Sequence, residues 1–165
     1  MHVFIIAAIS SDGCIAKTQH HPAVWTSKED KKRFVQLTKR AGVVIMGSTT
    51  FQTLPRPLKD RLMIVYSRSQ KFEGVETTSD NPKELLKKLE TRGFTEVAIC
   101  GGSEIYSLFM EAGVVDSIYL SIEPIMFGTG IHLFKRPLEE INLLLQKSST
   151  HQNGTVFLDY TVVKK

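Results

Sequence analysis

Three places in the chain have the residue types to hold a phosphate, and one acid is spaced to manage a proton. Val97 to Tyr106 reads VAICGGSEIY, a short apolar run, then Gly101-Gly102-Ser103, then the start of an amphipathic helix. A strand that turns on glycines into a helix leaves unpaired N–H groups and the positive end of the helix dipole beyond the strand end. Gly47-Ser48-Thr49-Thr50 repeats that arrangement after another apolar run, and Ser67-Arg68-Ser69 sets a cation among hydroxyls past a third. Each is also readable as an ordinary solvated turn. Counting by three and four from Phe34 sets Asp30, Phe34, Leu37 and Ala41 on one helical stripe. An acid on an apolar face is costly unless paired; the alternative is an exposed Asp30 that favours the helix dipole.

The elements that must position these residues follow in order. Val3 to Ile9 reads as a strand buried on both faces. Ser10 to Val24, with Asp12-Gly13 and Pro22, is a long polar loop, either an active-site lid or a surface segment. Thr26 and Glu29 have capping-box spacing, which predicts a helix from Ser27 to about Lys39. Further strands are expected at Val43 to Met46, Arg61 to Tyr66, Val75 to Thr77, Val97 to Cys100 and Ser117 to Ile122. Helices are expected from Asn81-Pro82 to Thr91 and from the paired glycines to about Ala112. Leu54 to Leu58 and Phe127 to Ile131 are loops. Strands near Ile141 to Ser149 and Thr155 to Val163 flank Asn153-Gly154, a hairpin signal. The order gives an α/β fold: a largely parallel sheet, helices on both faces and an antiparallel edge, with ligands beyond the carboxyl ends of the strands.

A length of 165 residues fits one domain spanning 1–165. The first apolar run is too short to span a membrane and lacks a signal peptide's basic start, so a cytoplasmic protein is expected. Cys14 and Cys100 are far apart and read as reduced thiols. The net charge of +4 is spread along the chain, which argues against nucleic acid as partner. His20-His21 lacks a third ligand nearby and reads as solvated loop, so no metal is expected. The expected partner is a small molecule, met by a monomer or a homodimer.

Trp25, Asp30 and Phe34, then VIMGSTTF at Val44 to Phe51, RPL at Arg56 to Leu58 with Arg61 beyond, and ICGGSEIY at Ile99 to Tyr106 together resemble dihydrofolate reductase. The resemblance implies an eight-stranded α/β sheet, NADPH as hydride donor, and dihydrofolate between the first helix and the nicotinamide. It makes Asp30 the acid that grips the pterin and promotes protonation beside the hydride-accepting carbon, with Ser121 bonded to it. Trp25 would hold a water near the acid, Phe34 and Leu54 would contact substrate, and Arg61 would take its α-carboxylate. The carbonyls of Ile6 and Cys100 would receive the pterin amino group. Ala8, which also borders the substrate, and Ile15 and Tyr106 would lie near the nicotinamide. Gly47 to Thr50, comprising Gly47, Ser48, Thr49 and Thr50, and Gly101 to Ile105, comprising Gly101, Gly102, Ser103, Glu104 and Ile105, would hold the pyrophosphate. Ser67 and Arg68 would hold the adenosine 2′-phosphate, and a cis peptide is implied at Gly101-Gly102.

Ser48 stands where that family commonly has a basic residue, and Ser103 where it has a third glycine. SSDGCIA at Ser10 to Ala16 and PIMFGTGIHLF at Pro124 to Phe134 are more similar to the reductase half of the bifunctional riboflavin-pathway enzyme, which implies a phosphoribosylamino-pyrimidinone as the alternative substrate. A nucleotide-binding module without catalysis is the third reading.

Overall fold

The computed structural model describes residues 1–164. Ten strands and four α-helices follow in the order β1 His2–Ser10, β2 Cys14–Ala16, α1 Lys28–Ala41, β3 Val43–Gly47, α2 Ser48–Gln52, β4 Leu62–Tyr66, β5 Glu76–Thr78, α3 Pro82–Thr91, β6 Glu96–Ile99, α4 Ser103–Glu111, β7 Ser117–Glu123, β8 Ile131–His132, β9 Leu143–Thr150 and β10 Val156–Val162. Eight strands form one sheet in the order β5-β4-β3-β6-β1-β7-β10-β9, parallel from β5 through β7. β10 runs antiparallel to both its neighbours, so the expected hairpin edge is present.

Alternation along the central strands gives the sheet two apolar faces. Val3, Ile5, Val43, Ile45, Val97 and Ile99 point to the side covered by Leu85 and Leu89 of α3 and by Ile105 and Phe109 of α4. Phe4, Ile6, Val44, Met46 and Ala98 point to the other, where Phe34, Leu37 and Ala41 of α1 pack. The stripe read from Phe34 is therefore the buried stripe of α1, and it carries Asp30 inward with it.

Two expectations need correction. The cap of α1 is Ser27 rather than Thr26: the Ser27 hydroxyl accepts from the Asp30 N–H. Glu29 does not turn back to close a capping box, because its carboxylate accepts from the Asn153 amide 2.8 Å away in the β9–β10 loop. The helix also runs on to Ala41 and ends at Gly42, whose φ of 71° lets its N–H bond back to Thr38. The second correction concerns Ser10 to Val24 and Phe127 to Ile131, which are not loops throughout. β2 lies in the first and pairs antiparallel with β8, which begins where the second ends, and a 3-10 turn covers Ala23–Trp25.

The core makes Phe109 a fair probe of the whole fold. It is fully buried and meets the Tyr66 ring edge-on at 5.9 Å. Phe109→Ala is expected to cost about 3–5 kcal/mol. Urea unfolding followed by the fluorescence of the lone Trp25 measures it, and a loss below about 1 kcal/mol contradicts the packing described.

Candidate active site

A parallel sheet collects the carboxyl ends of its strands at one edge, and a cleft of about 1510 Å³ opens there. Small-molecule sites commonly measure about 300–1,000 Å³, so this one has room for a substrate beside a cofactor. Its walls bring the glycine turns together. Gly47 donates its N–H to the Gly101 carbonyl at 2.7 Å, which ties the end of β3 to the turn after β6. Gly101 has φ 103°, and a Cβ there would come within 3.0 Å of the Tyr106 hydroxyl, so a side chain is excluded on both counts. The Gly101-Gly102 peptide is cis. Ala8, Ile15, Ser48, Thr49, Thr50, Ser67 and Arg68 line the same cleft, as do Gly102, Ser103, Glu104 and Ile105 at the start of α4.

Asp30 lies in that cleft, 8% exposed. Burial raises its pKa above the ordinary carboxylate value and is the largest influence on it. The nearby Ser121 and Thr26 hydroxyls favour the charged form, the neighbouring Glu123 carboxylate disfavours it, and Arg33 favours it. Burial prevails, which leaves a carboxyl that holds its proton at higher pH than an exposed one. Trp25, Phe34, Leu54, Cys100, Ile6 and Tyr106 line the cleft with it. Tyr106 is buried and donates its hydroxyl to the Ile6 carbonyl at 2.8 Å, so one acceptor expected to face substrate is already shared inside the protein.

Ser121 and Arg61 do not line the cleft. Ser121 is buried, and its hydroxyl favours the charged form of Asp30. Arg61 donates to the Thr38 hydroxyl at 2.8 Å and to the Lys59 carbonyl at 2.9 Å. The sequence reading missed Lys31, which lines the cleft next to Asp30 with its ammonium 2.9 Å from the Thr26 carbonyl. It missed His21 too: rather than lying in a solvated loop, the ring is half-buried on the cleft wall and meets Phe127 edge-on. It also missed Lys135 and Arg136, which each reach Glu104 at 3.0 Å. The Glu104 carboxylate in the first turn of α4 is thereby balanced by two cations, which hold its pKa below the ordinary value.

The loop over the cleft is fastened down. Asp12 accepts from the Ser10 hydroxyl and from the N–H groups of Phe127 and Gly128, bonds that lower its pKa to about 2. Trp25 and His21 both meet the Phe127 ring, at 5.0 and 5.7 Å. No helix is long and apolar enough to cross a membrane among the described residues.

The family model for dihydrofolate reductase matches residues 2–129. Dihydrofolate reductase type 3 of Salmonella typhimurium is 32% identical over 73% of this chain and 71% of its own. Among solved structures, a pyrimidine reductase-like protein of Corynebacterium diphtheriae superposes with TM-score 0.78 at 20% identity, covering 99% of this chain and 92% of that one. RibD of Acinetobacter baumannii superposes with TM-score 0.82 at 16% identity, covering 99% of this chain and 58% of that one. These last two are likenesses of fold.

The environment of Asp30 has a consequence for stability. A carboxyl whose folded-state pKa is raised binds its proton more tightly folded than unfolded, so its contribution is greatest below the unfolded value of 3.8 and is lost as pH rises through the folded one. Asp30→Asn is uncharged throughout. The variant is therefore expected to gain stability relative to wild type between about pH 4 and neutrality, seen as a melting temperature higher by a few degrees at pH 7. A variant that melts lower than wild type at neutral pH and level with it in acid reverses the sign and overturns the assignment.

Proposed function

We propose, since the chain belongs to the dihydrofolate reductase family, that it catalyses the NADPH-dependent reduction of 7,8-dihydrofolate to 5,6,7,8-tetrahydrofolate, a reaction of one-carbon metabolism. The family and the fold make it an oxidoreductase acting on a small molecule. The observation that carries the finer reading is one carboxyl group, buried with a raised pKa, in the same cleft as two glycine turns.

The residues fit a phosphate-bearing cofactor. The first turn of α4, the joined glycine turns and the hydroxyls of Ser48, Thr49 and Thr50 offer donors to a pyrophosphate. Arg68 lines the cleft and makes no salt bridge among the described residues, which suits a 2′-phosphate. When bound, NADPH supplies the hydride. Hydride transfer to a C=N bond is easier once the nitrogen carries a proton. Asp30 orients the ring through a charge-assisted bond and keeps a proton available close to that nitrogen. Trp25 and Phe34 give it apolar walls that limit water, and Ser121 and Thr26 hold its carboxyl. Arg61, fixed by Thr38, is the group proposed for the glutamate tail. The compartment proposed is the cytoplasm, where the free thiols of Cys14 and Cys100 stay reduced.

One observation favours the phosphoribosylamino-pyrimidinone instead. Lys31 brings a cation into the cleft beside Asp30, where a phosphorylated substrate would use it, whereas Arg61 is not part of the cleft wall. Following NADPH absorbance with each substrate in turn separates the two, and NADPH binding without turnover of either would leave a binding module.

Two outcomes are expected with dihydrofolate. Asp30→Asn lowers kcat on the order of a hundredfold at neutral pH and much less in acid, where substrate arrives protonated; a neutral-pH rate within about twofold of wild type removes Asp30 from the reaction. Arg68→Ala weakens NADPH roughly tenfold to a hundredfold in Kd while NADH is little changed. Equal losses with both cofactors would move the 2′-phosphate contact elsewhere.

A further inference from the structure

Outside the groups given roles above lies a second buried acid. Glu123 ends β7 and is 3% exposed. One carboxylate oxygen accepts from the Ser27 N–H at 2.9 Å and from the Ser27 hydroxyl at 2.8 Å, and the other accepts from the Thr155 hydroxyl at 2.8 Å. The Ser27 oxygen that donates to Glu123 itself accepts from the Asp30 N–H at 3.1 Å. A continuous hydrogen-bonded chain thus runs from Thr155, at the start of β10, through Glu123 and Ser27 to the backbone of Asp30. The Glu123 carbonyl accepts from the Ser11 hydroxyl at 2.9 Å, so the loop over the cleft is tied to the same residue.

We propose that Glu123 is the positioning residue of Asp30, holding the cap from which α1 starts and setting a second anion near the acid that handles the proton. The proposal rests on the reading of Asp30 given above. A carboxylate that shares its surroundings with another holds its proton more tightly. The groups that face Asp30 are few. Arg33 of its own helix favours the charged form, as do the hydroxyls of Ser121 of β7 and Thr26 ahead of α1, and Tyr106 of α4 and Cys100 line the same cleft. Burial raises the pKa of both Tyr106 and Cys100, so neither carries charge at neutral pH. Lys31 directs its ammonium to the Thr26 carbonyl. Glu123 is therefore the anion that opposes ionisation of Asp30, and Arg33 is the cation that favours it. Arg33 is itself engaged by Asp159 and by the Leu120 carbonyl.

Glu123→Gln keeps the size of the side chain and an oxygen for Ser27 while removing the charge. Two readouts are needed. The first is a carbon-13 titration of the Asp30 carboxyl in the ligand-free protein, which does not depend on any substrate. Its midpoint is expected to fall by about 0.5–1 pH unit in Glu123→Gln. The second is the pH profile of NADPH-dependent turnover, whose alkaline limb is expected to move down by the same amount with kcat in acid kept within about threefold. A midpoint within about 0.2 unit of wild type in a folded variant overturns the coupling and reduces Glu123 to a tie between elements.

Glu123→Asp tests position separately, and does so even if the glutamine variant fails to fold. It keeps the charge and shortens the reach to Ser27, so the limb is expected to stay while kcat drops about tenfold. Wild-type kinetics in that variant overturn the positioning role. The two readings fail differently. A shifted midpoint with a fully active Asp30→Asn enzyme keeps the coupling and removes the reductase mechanism, and the converse keeps the mechanism alone.

Discussion

A carboxyl group taken out of water at the first turn of a helix is the constraint around which this molecule is arranged. Desolvation alone would drive Asp30 to stay neutral or swing out to solvent. It does neither freely, because the stripe that buries Phe34, Leu37 and Ala41 against the sheet brings Asp30 in with them. The hydroxyls of Ser121 and Thr26 then supply part of what water supplied. The acid is thus held between two tendencies, one toward protonation and one toward charge, and a group so balanced can exchange a proton with a ligand without large reorganisation.

The sheet order explains why that acid and the glycine turns share one cleft. With six adjacent strands parallel, every strand end from β5 to β7 faces the same edge. The β1–β7 register sets Ala8 opposite Ser121 and Ser10 opposite Glu123, which brings the partners of α1 level with the strand whose end lines the cleft. The β3–β6 pairing and the Gly47–Gly101 bond lock the two phosphate-capable turns to each other. Neither turn could shift without disturbing the other, so their free N–H donors are held in one arrangement.

Much of this was legible in the chain. The period of the apolar stripe put Asp30 on the inner face, and the strand–glycine–helix pattern located both turns. The missed features have physical causes. Glu123 sits at the end of a strand whose alternation gave no hint that its last acid points inward; only the three-dimensional meeting of Ser27 and Thr155 with it does. Thr26 and Ser27 are equally good caps by type, and Ser27 is the one that Glu123 holds, through its N–H and its hydroxyl. β2 and β8 are three and two residues long, too short for any periodicity, and exist because they pair with each other.

One charge beside the glycine turns is balanced within the protein. Glu104 opens α4, where its carboxylate would repel a phosphate held by the same helix start. Lys135 and Arg136 cancel that charge, and Arg136 is held in turn by Glu111 at 2.8 Å. Those cations come from the segment that follows β8. With that pair spent on Glu104 and Ser48 uncharged, Arg68 is left as a cation of the cleft wall with no salt bridge among the described residues. Lys31 adds a cation to the cleft wall next to Asp30, while Arg61 stands outside that wall, fixed by Thr38.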